Sequence, residues 1–289
     1  MKNVIQCFCL ALCLSCTVGL YGQTKLPVGW QSSFVRITPE GELTYIPDEK
    51  GNTIPDFSRV GYHHSDRSIP YPKKPDIVLS PHEGVDNLSQ IQAAIDEVSR
   101  RNPDADGYRG TILLKRGVYP VHGTIRIRQS GIVLTGEGDN VNETRLLAIG
   151  KKRFPLIQVS CEGRIREVEG TRVRITDSFV PVGTTSFMVE KPDAFRPGDR
   201  VIVFRPGTEA WIHDIQMDRI VERKGTRQWT ADQYNLLYER EVLKVEGKRV
   251  YIDNPIVMQM EQKYGGGEVY RYTFEGRICE VGVTNMCLE

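Results

Sequence analysis

Apolar residues fall mostly in short alternating runs separated by glycine and polar corners, and one stretch breaks that rhythm. Leu88, Ile91, Ile95 and Val98 recur three and four residues apart, the spacing that lays one apolar stripe along an α-helix. Asp86 or Asn87 can cap its start, and Asp104-Ala105-Asp106-Gly107 closes the connection behind it. Strands follow. Gly110-Thr111-Ile112-Leu113-Leu114 is echoed 20 residues on by Gly131-Ile132-Val133-Leu134, and Thr124-Ile125-Arg126-Ile127 by Thr144-Arg145-Leu146-Leu147 at the same offset. Equal offsets are what a solenoid coil requires, and such short strands suit one face of a coil better than a sandwich core. An ordinary β-meander is the alternative. A helix ahead of stacked strands suits a lid over their open end, where bare backbone invites pairing with other chains.

Upstream, residues 23–80 are rich in proline, glycine and polar residues and read as an extended arm. Ser33 to Thr38 and Leu43 to Ile46 bracket Pro39-Glu40-Gly41-Glu42, which predicts a hairpin. Ile54-Pro55 and Ile69-Pro70 are excluded from central strands because proline has no N–H to donate. Residues 81–163 are assigned to the lid helix and first coils. From 164 to 268 the echo disappears, and Val173 to Thr176, Ser186 to Glu190, Arg200 to Phe204 and a hairpin around Glu246-Gly247-Lys248 predict an inserted β-rich module. That module also carries a helical piece from Thr208 and a second one capped by Thr230. Residues 269–289 are expected to re-enter the coils through Val281 to Met286, and a chain stopping at Glu289 among its coils is expected to be a piece of a longer protein.

Residues 1–22 read as a cleavable secretory signal: Lys2 precedes an apolar Val4 to Leu20, and Leu20-Tyr21-Gly22 offers a cut before Gln23. The expected location is therefore secreted, periplasmic or at the cell surface, with no membrane span after cleavage. A lipoprotein signal at Cys16 fits less well, since Cys13 stands where leucine is expected. Four of the seven cysteines leave with that signal, and Cys161, Cys279 and Cys287 make neither a disulfide framework nor a zinc pair. A net charge of +1 gives no electrostatic case for nucleic acid, though a basic cleft for an acidic sugar remains compatible with it.

Three segments together resemble the entry to the pectate-lyase-like superfamily. They are Asp86-Asn87 with Ile91-Gln92-Ala93-Ala94-Ile95-Asp96, then Gly110 to Tyr119 with its Gly117-Val118-Tyr119 turn, and then Ser130 to Gly138. Upstream Gly51-Asn52-Thr53-Ile54-Pro55-Asp56-Phe57-Ser58 with Gly61-Tyr62 is similar to a subgroup of secreted proteins from glycan-degrading bacteria. The resemblance implies an all-β fold, a right-handed parallel β-helix that binds an extended glycan along one face. It implies a polysaccharide lyase or glycoside hydrolase whose catalytic groups sit on coils beyond Glu289, so no catalytic residue carries over and this stretch alone is expected to be inactive. Lyases of the superfamily often use calcium, but no ligand set is identifiable here, so the cofactor stays open.

Within the chain, the densest cluster able to contact sugar is Arg205, Trp211, His213 and Asp214, with Trp229 nearby. Aromatic faces stack on pyranose rings and the polar groups hydrogen-bond hydroxyls or carboxylates; packing of the inserted module is the competing role for Trp211 and Trp229. His63-His64 carries no metal signature, because strand neighbours point to opposite faces and no carboxylate has ligand spacing. Gly136-Glu137-Gly138-Asp139 lacks the Lys-Ser/Thr ending of a phosphate loop and reads as a coil corner; Gly265-Gly266-Gly267 reads as a flexible return to the coils. Asn142-Glu143-Thr144 forms a glycosylation sequon relevant only in a eukaryotic host. Two further readings stand beside the enzyme: a non-catalytic β-helix protein that binds glycan or displays at the cell surface, and a trimeric tailspike-like adhesin.

Overall fold

The computed structural model describes residues 31–71 and 74–289, so the expected signal at 1–22 and the first residues of the arm lie outside the described residues. The chain divides into two compact units, 1–46 and 47–289. In the first, β1 (Val35–Ile37) and β2 (Leu43–Tyr45) pair antiparallel as the expected hairpin, closed by Gly41 N–H donating to Thr38 O at 2.9 Å.

The second unit is mostly β and begins with short strands that pair in parallel. β3 (Ile77–Leu79) is followed by helix α1 (Leu88–Ser99), then β4 (Gly110–Leu114), β5 (Gly117–Val121), β6 (Ile125–Ile127), β7 (Ile132–Gly136), β8 (Thr144–Ala148) and β9 (Ile157–Val159). They sort into three parallel sheets, which the chain visits in rotation: β4 lies between β3 and β7, β5 pairs with β8, and β6 pairs with β9. A strand of three to five residues cannot hold itself in water; it persists because the next rung offers a full row of backbone partners about 4.8 Å away.

Alternation along each strand does the rest. Ile112 and Leu114, Tyr119 and Val121, Ile125 and Ile127, Ile132 and Leu134, and Leu146 all point into one core, where the α1 stripe Ile91, Ala94, Ile95 and Val98 joins them. Register stacks like on like, with Ile112 beside Leu134 and Tyr119 beside Leu146. The buried Tyr119 hydroxyl donates toward the carbonyls of Leu79 and Lys115, both at 2.9 Å, so its polar end is satisfied inside an apolar stack. Gly131 turns the chain into β7 at φ 80°, and a Cβ there would meet the backbone of Arg109 and Gly107.

Two expectations for this region need correcting. Thr124–Ile127 does not stack on Thr144–Leu147: β8 pairs with β5, and β6 finds β9 in a third sheet. The registers Gly110↔Ile132, Gly117↔Thr144 and Ile125↔Ile157 spread apart because successive corner loops lengthen, which no single offset describes. The arm also ends earlier than 80, since Ile77–Leu79 already forms the first rung. At the helix start, Asp86 Oδ1 accepts from Leu88 N at 3.0 Å, while the buried Asn87 side chain ties the preceding loop through His82 and Val85.

The next segment is antiparallel. It comprises β10 (Arg166–Glu167), β11 (Val173–Arg174), β12 (Phe179–Val180), β13 (Ser186–Met188), β14 (Arg200–Arg205), helix α2 (Glu209–Asp214), β15 (Leu236–Glu246), β16 (Arg249–Ile252), β17 (Met260–Glu261) and β18 (Glu268–Thr273). Seven of these strands form one sheet and β12 pairs with β17 in a second. Its own core contains Val173, Phe187, Val201, Val203, Val250, Ile252 and Met260, and Ile202, Tyr270 and Tyr272 fill a second cluster. The boundary expected at 268/269 falls inside β18. Gly265 and Gly266, at φ 93° and 64°, make a tight hydrogen-bonded turn into that strand instead of a flexible return to the coils.

Parallel pairing resumes with β19 (Gly282–Thr284), which runs beside β7, and β20 (Cys287–Leu288), which runs beside β8. Cys161, Cys279 and Cys287 are free thiols. No helix among the described residues is long and apolar enough to cross a membrane.

The inward and outward faces are separable by mutation. Leu146→Ala, at a fully buried position, is expected to cost about 3 kcal/mol in denaturant unfolding. Its outward neighbour Leu147→Ala should cost less than about 1.5 kcal/mol; equal losses would contradict the strand faces described.

Candidate functional site

The long connection between β14 and β15 brings three of the sequence candidates together. Thr208 has extended backbone and its hydroxyl accepts from Trp211 N at 3.3 Å, which starts α2 and fixes Trp211 on its first turn. Asn235 Oδ1 accepts from Gly207 N at 3.0 Å, drawing the far end of the connection back against its beginning. Trp229 and Tyr234 are then stacked with ring centres 4.0 Å apart, and Trp211 lies 6.3 Å from Trp229 and 5.9 Å from Tyr234. All three rings are half-buried. Arg205, at the end of β14, is only 4 % exposed; its guanidinium lies 4.7 Å from the Trp211 ring centre and donates to Gln259 O at 3.1 Å. Burial lowers the Arg205 pKa from its ordinary value, with Tyr238 and Glu261 opposing that shift.

The other two candidates engage different partners. His213 Nδ1 lies 2.7 Å from Asp218 Oδ2, and its Nε2 lies 3.1 Å from Arg219, so both ring nitrogens are occupied at the surface. The Asp218 carboxyl is held below its usual range mainly by that hydrogen bond. Asp214 accepts from the Tyr264 hydroxyl at 2.6 Å. The helix ends at Asp214, and Gln216 takes φ 60° just beyond it.

A second group was not visible in the sequence. Tyr62, His63, Tyr108 and Glu280 meet at a pocket of about 490 Å³ lined by the arm, the module and the coil re-entry. His63 Nε2 lies 2.9 Å from Glu280 Oε1 and 3.0 Å from Oε2. Tyr108 donates to Oε2 at 3.0 Å, and Tyr62 hydrogen-bonds both Oε2 and the Tyr108 hydroxyl. Three oxygens thus share two hydroxyl protons, and the crowding falls on Oε2. His63 first, then Tyr62, holds the Glu280 carboxyl below its ordinary range, whereas burial followed by the bond to Glu280 pushes the Tyr62 phenol well up.

The backbone is strained at the same place. His63, His64, Ser65 and Glu280 have φ of 46°, 56°, 66° and 53°, a region that costs non-glycine residues of order 1–3 kcal/mol each. His63 and His64 are exposed and sit in a tight turn instead of the strand expected for them, and the carboxylate that His63 meets, Glu280, is 217 residues away. The only local signal was Gly61-Tyr62-His63-His64 itself, and nothing nearby in sequence names its partner. Among the described residues no group of three or more His, Cys, Asp or Glu side chains is arranged to hold a metal ion, so calcium has no identified ligands there.

No protein-family model matches this chain. No curated protein matches it either. Among solved structures, it overlaps the tailspike gp61 of Pseudomonas phage phi297 at 20% identity and a TM-score of 0.36, over 70% of this chain and 27% of that one. The gp54 tailspike of Acinetobacter baumannii bacteriophage AP22, solved in complex with A. baumannii capsular saccharide, overlaps 70% of this chain and 26% of its own at 11% identity and a TM-score of 0.32. The tailspike gp49 of Pseudomonas phage LKA1 gives 16% identity and a TM-score of 0.31, over 64% of this chain and 25% of that one. The chain spans about a quarter of the length of each, and overlap this low transfers neither an activity nor a ligand.

The Glu280 lock has a pH signature. A lowered carboxyl pKa contributes stability that is complete above the ordinary value of 4.5 and fades as pH falls through the lower folded value. Going from about pH 6 to about pH 3 should therefore lower the melting temperature of the wild type more than that of Glu280→Gln. Equal shifts in differential scanning calorimetry would remove Glu280 from that role.

Proposed function

We propose that this chain belongs to an exported, polysaccharide-degrading protein whose parallel sheets are coils of a right-handed β-helix and whose antiparallel segment is an inserted module bearing a glycan-contacting surface. The right hand follows from the strong preference of parallel β-crossovers for that sense. Export rests on the apolar segment at 1–22, and degradation on the resemblance of the helix and first coils to pectate-lyase-like proteins. The observation that carries the glycan reading is the Trp211, Trp229 and Tyr234 group, three half-buried rings held together on the connection between β14 and β15.

Such rings offer large, low-entropy apolar faces to the C–H side of a sugar, and the nearby Arg205 cation makes the Trp211 face part of a charged stack. A non-catalytic glycan binder is the second reading, and the same rings favour it equally, because stacking holds a substrate without moving a proton.

Affinity electrophoresis against pectic, glycosaminoglycan and neutral glucan chains tests the contact. Trp229→Ala should weaken retardation by the bound glycan about tenfold, equivalent to roughly 1.4 kcal/mol. Unchanged retardation would assign the rings to packing alone. Release of unsaturated or reducing ends by the exported protein would support degradation over simple binding.

A further inference from the structure

The pocket at Glu280 shares no residue with the aromatic group on the β14–β15 connection. Three segments distant in sequence build it: the arm around Phe57 to His64, the module at Arg240 and Asn254 to Val257, and the coil re-entry at Cys279 and Glu280. Its size falls in the range of small-molecule sites, and its surface is divided by chemistry.

One side is apolar and open to water. Phe57 is 55 % exposed, Val60 57 % and Val257 41 %, with no hydrophobic cluster covering them. The other side mixes cations with the Glu280 carboxylate. Glu280 Oε2 takes the tyrosine protons, while among the described residues Oε1 receives only His63, leaving lone-pair capacity on a side chain that is 17 % exposed.

The half-buried cation in the same pocket, Arg240, is already committed. Arg240 gives Nε to Asn254 O at 2.9 Å, Nη1 to Glu239 O at 2.7 Å and Nη2 to Pro255 O at 2.5 Å. Arg59 faces Asp66 at 3.7 Å. An anionic guest would have to compete for Arg240 and would approach an ionised carboxylate, whereas a guest that donates a hydroxyl proton meets the remaining lone pair of Glu280 Oε1.

We propose that this pocket binds a neutral pyranose, with a ring hydroxyl donating to Glu280 Oε1 and the C–H face of the ring resting on Phe57 and Val257. Tyr62, Tyr108 and His63 are positioning residues: they hold the carboxylate in one orientation, and the left-handed backbone at His63 and Glu280 brings the two chain segments close enough to do so. This is a second saccharide site, and it does not rest on the role assigned to the tryptophans.

Saturation-transfer NMR on the protein tests it, using the methyl glycosides of glucose, galactose and mannose as probes alongside glucuronate and galacturonate. The expected result is transfer to at least one neutral glycoside, with affinity reduced at least about tenfold in Phe57→Ser and in Glu280→Gln and unchanged in Trp229→Ala. Phe57→Ser decides the matter if Glu280→Gln fails to fold, because Phe57 is exposed and contributes to no core. Three results would overturn the proposal: no transfer to any neutral glycoside, tighter binding of the uronates, or neutral binding that survives Phe57→Ser. Loss of binding only in Trp229→Ala would move the neutral sugar to the aromatic group and leave that reading standing by itself.

Discussion

Parallel backbone pairing between consecutive rungs is the interaction on which the rest of this structure depends. None of the strands β3 to β9 is long enough to be stable alone, and each gains its hydrogen bonds only from the rung above or below. In-register stacking then lines Ile112 with Leu134 and Tyr119 with Leu146, so backbone pairing and apolar burial strengthen together as rungs are added. Helix α1 joins this system because its four buried residues complete the same core.

A fold that depends on neighbouring rungs tolerates a large interruption at a corner. The antiparallel segment enters at Arg166 and leaves at Thr273, and those two residues are paired with one another in β10 and β18. The antiparallel segment therefore closes on itself, and Gly282 beyond it pairs with Val133 ahead of it. Loop-closure entropy rises only slowly with length, and a segment with its own core offsets even that cost.

The same closure creates both candidate sites. It exposes the β14–β15 connection, where Thr208 and Asn235 gather the aromatic rings, and it delivers Glu280 to the arm immediately before the coils resume. Strain at His63, His64, Ser65 and Glu280 is sustained because hydrogen bonds from three chain segments over-determine the junction.

Much of the architecture was readable from local pattern. The α1 stripe, the hairpins at Gly41 and Gly247, the Thr208 cap and the strands at Ile112, Ile132 and Val283 are consequences of spacing three, four or two residues wide, which short-range sterics and burial enforce. The candidate pair Trp211 and Trp229 was legible as residue type, and the structure brought it together with Arg205 while engaging His213 and Asp214 elsewhere. The stacking of β4 on β7 was legible in the echo of Ile112 by Ile132, but the partners of β5 and β6 were not, because corner loops of unequal length leave no constant period and Gly117–Val121 carries a proline that disguises it as a turn. The Glu280 pocket depended on tertiary structure entirely. A hydrogen bond between residues 217 apart leaves no trace in the residues around either one, and only the closed insertion sets the distance between them.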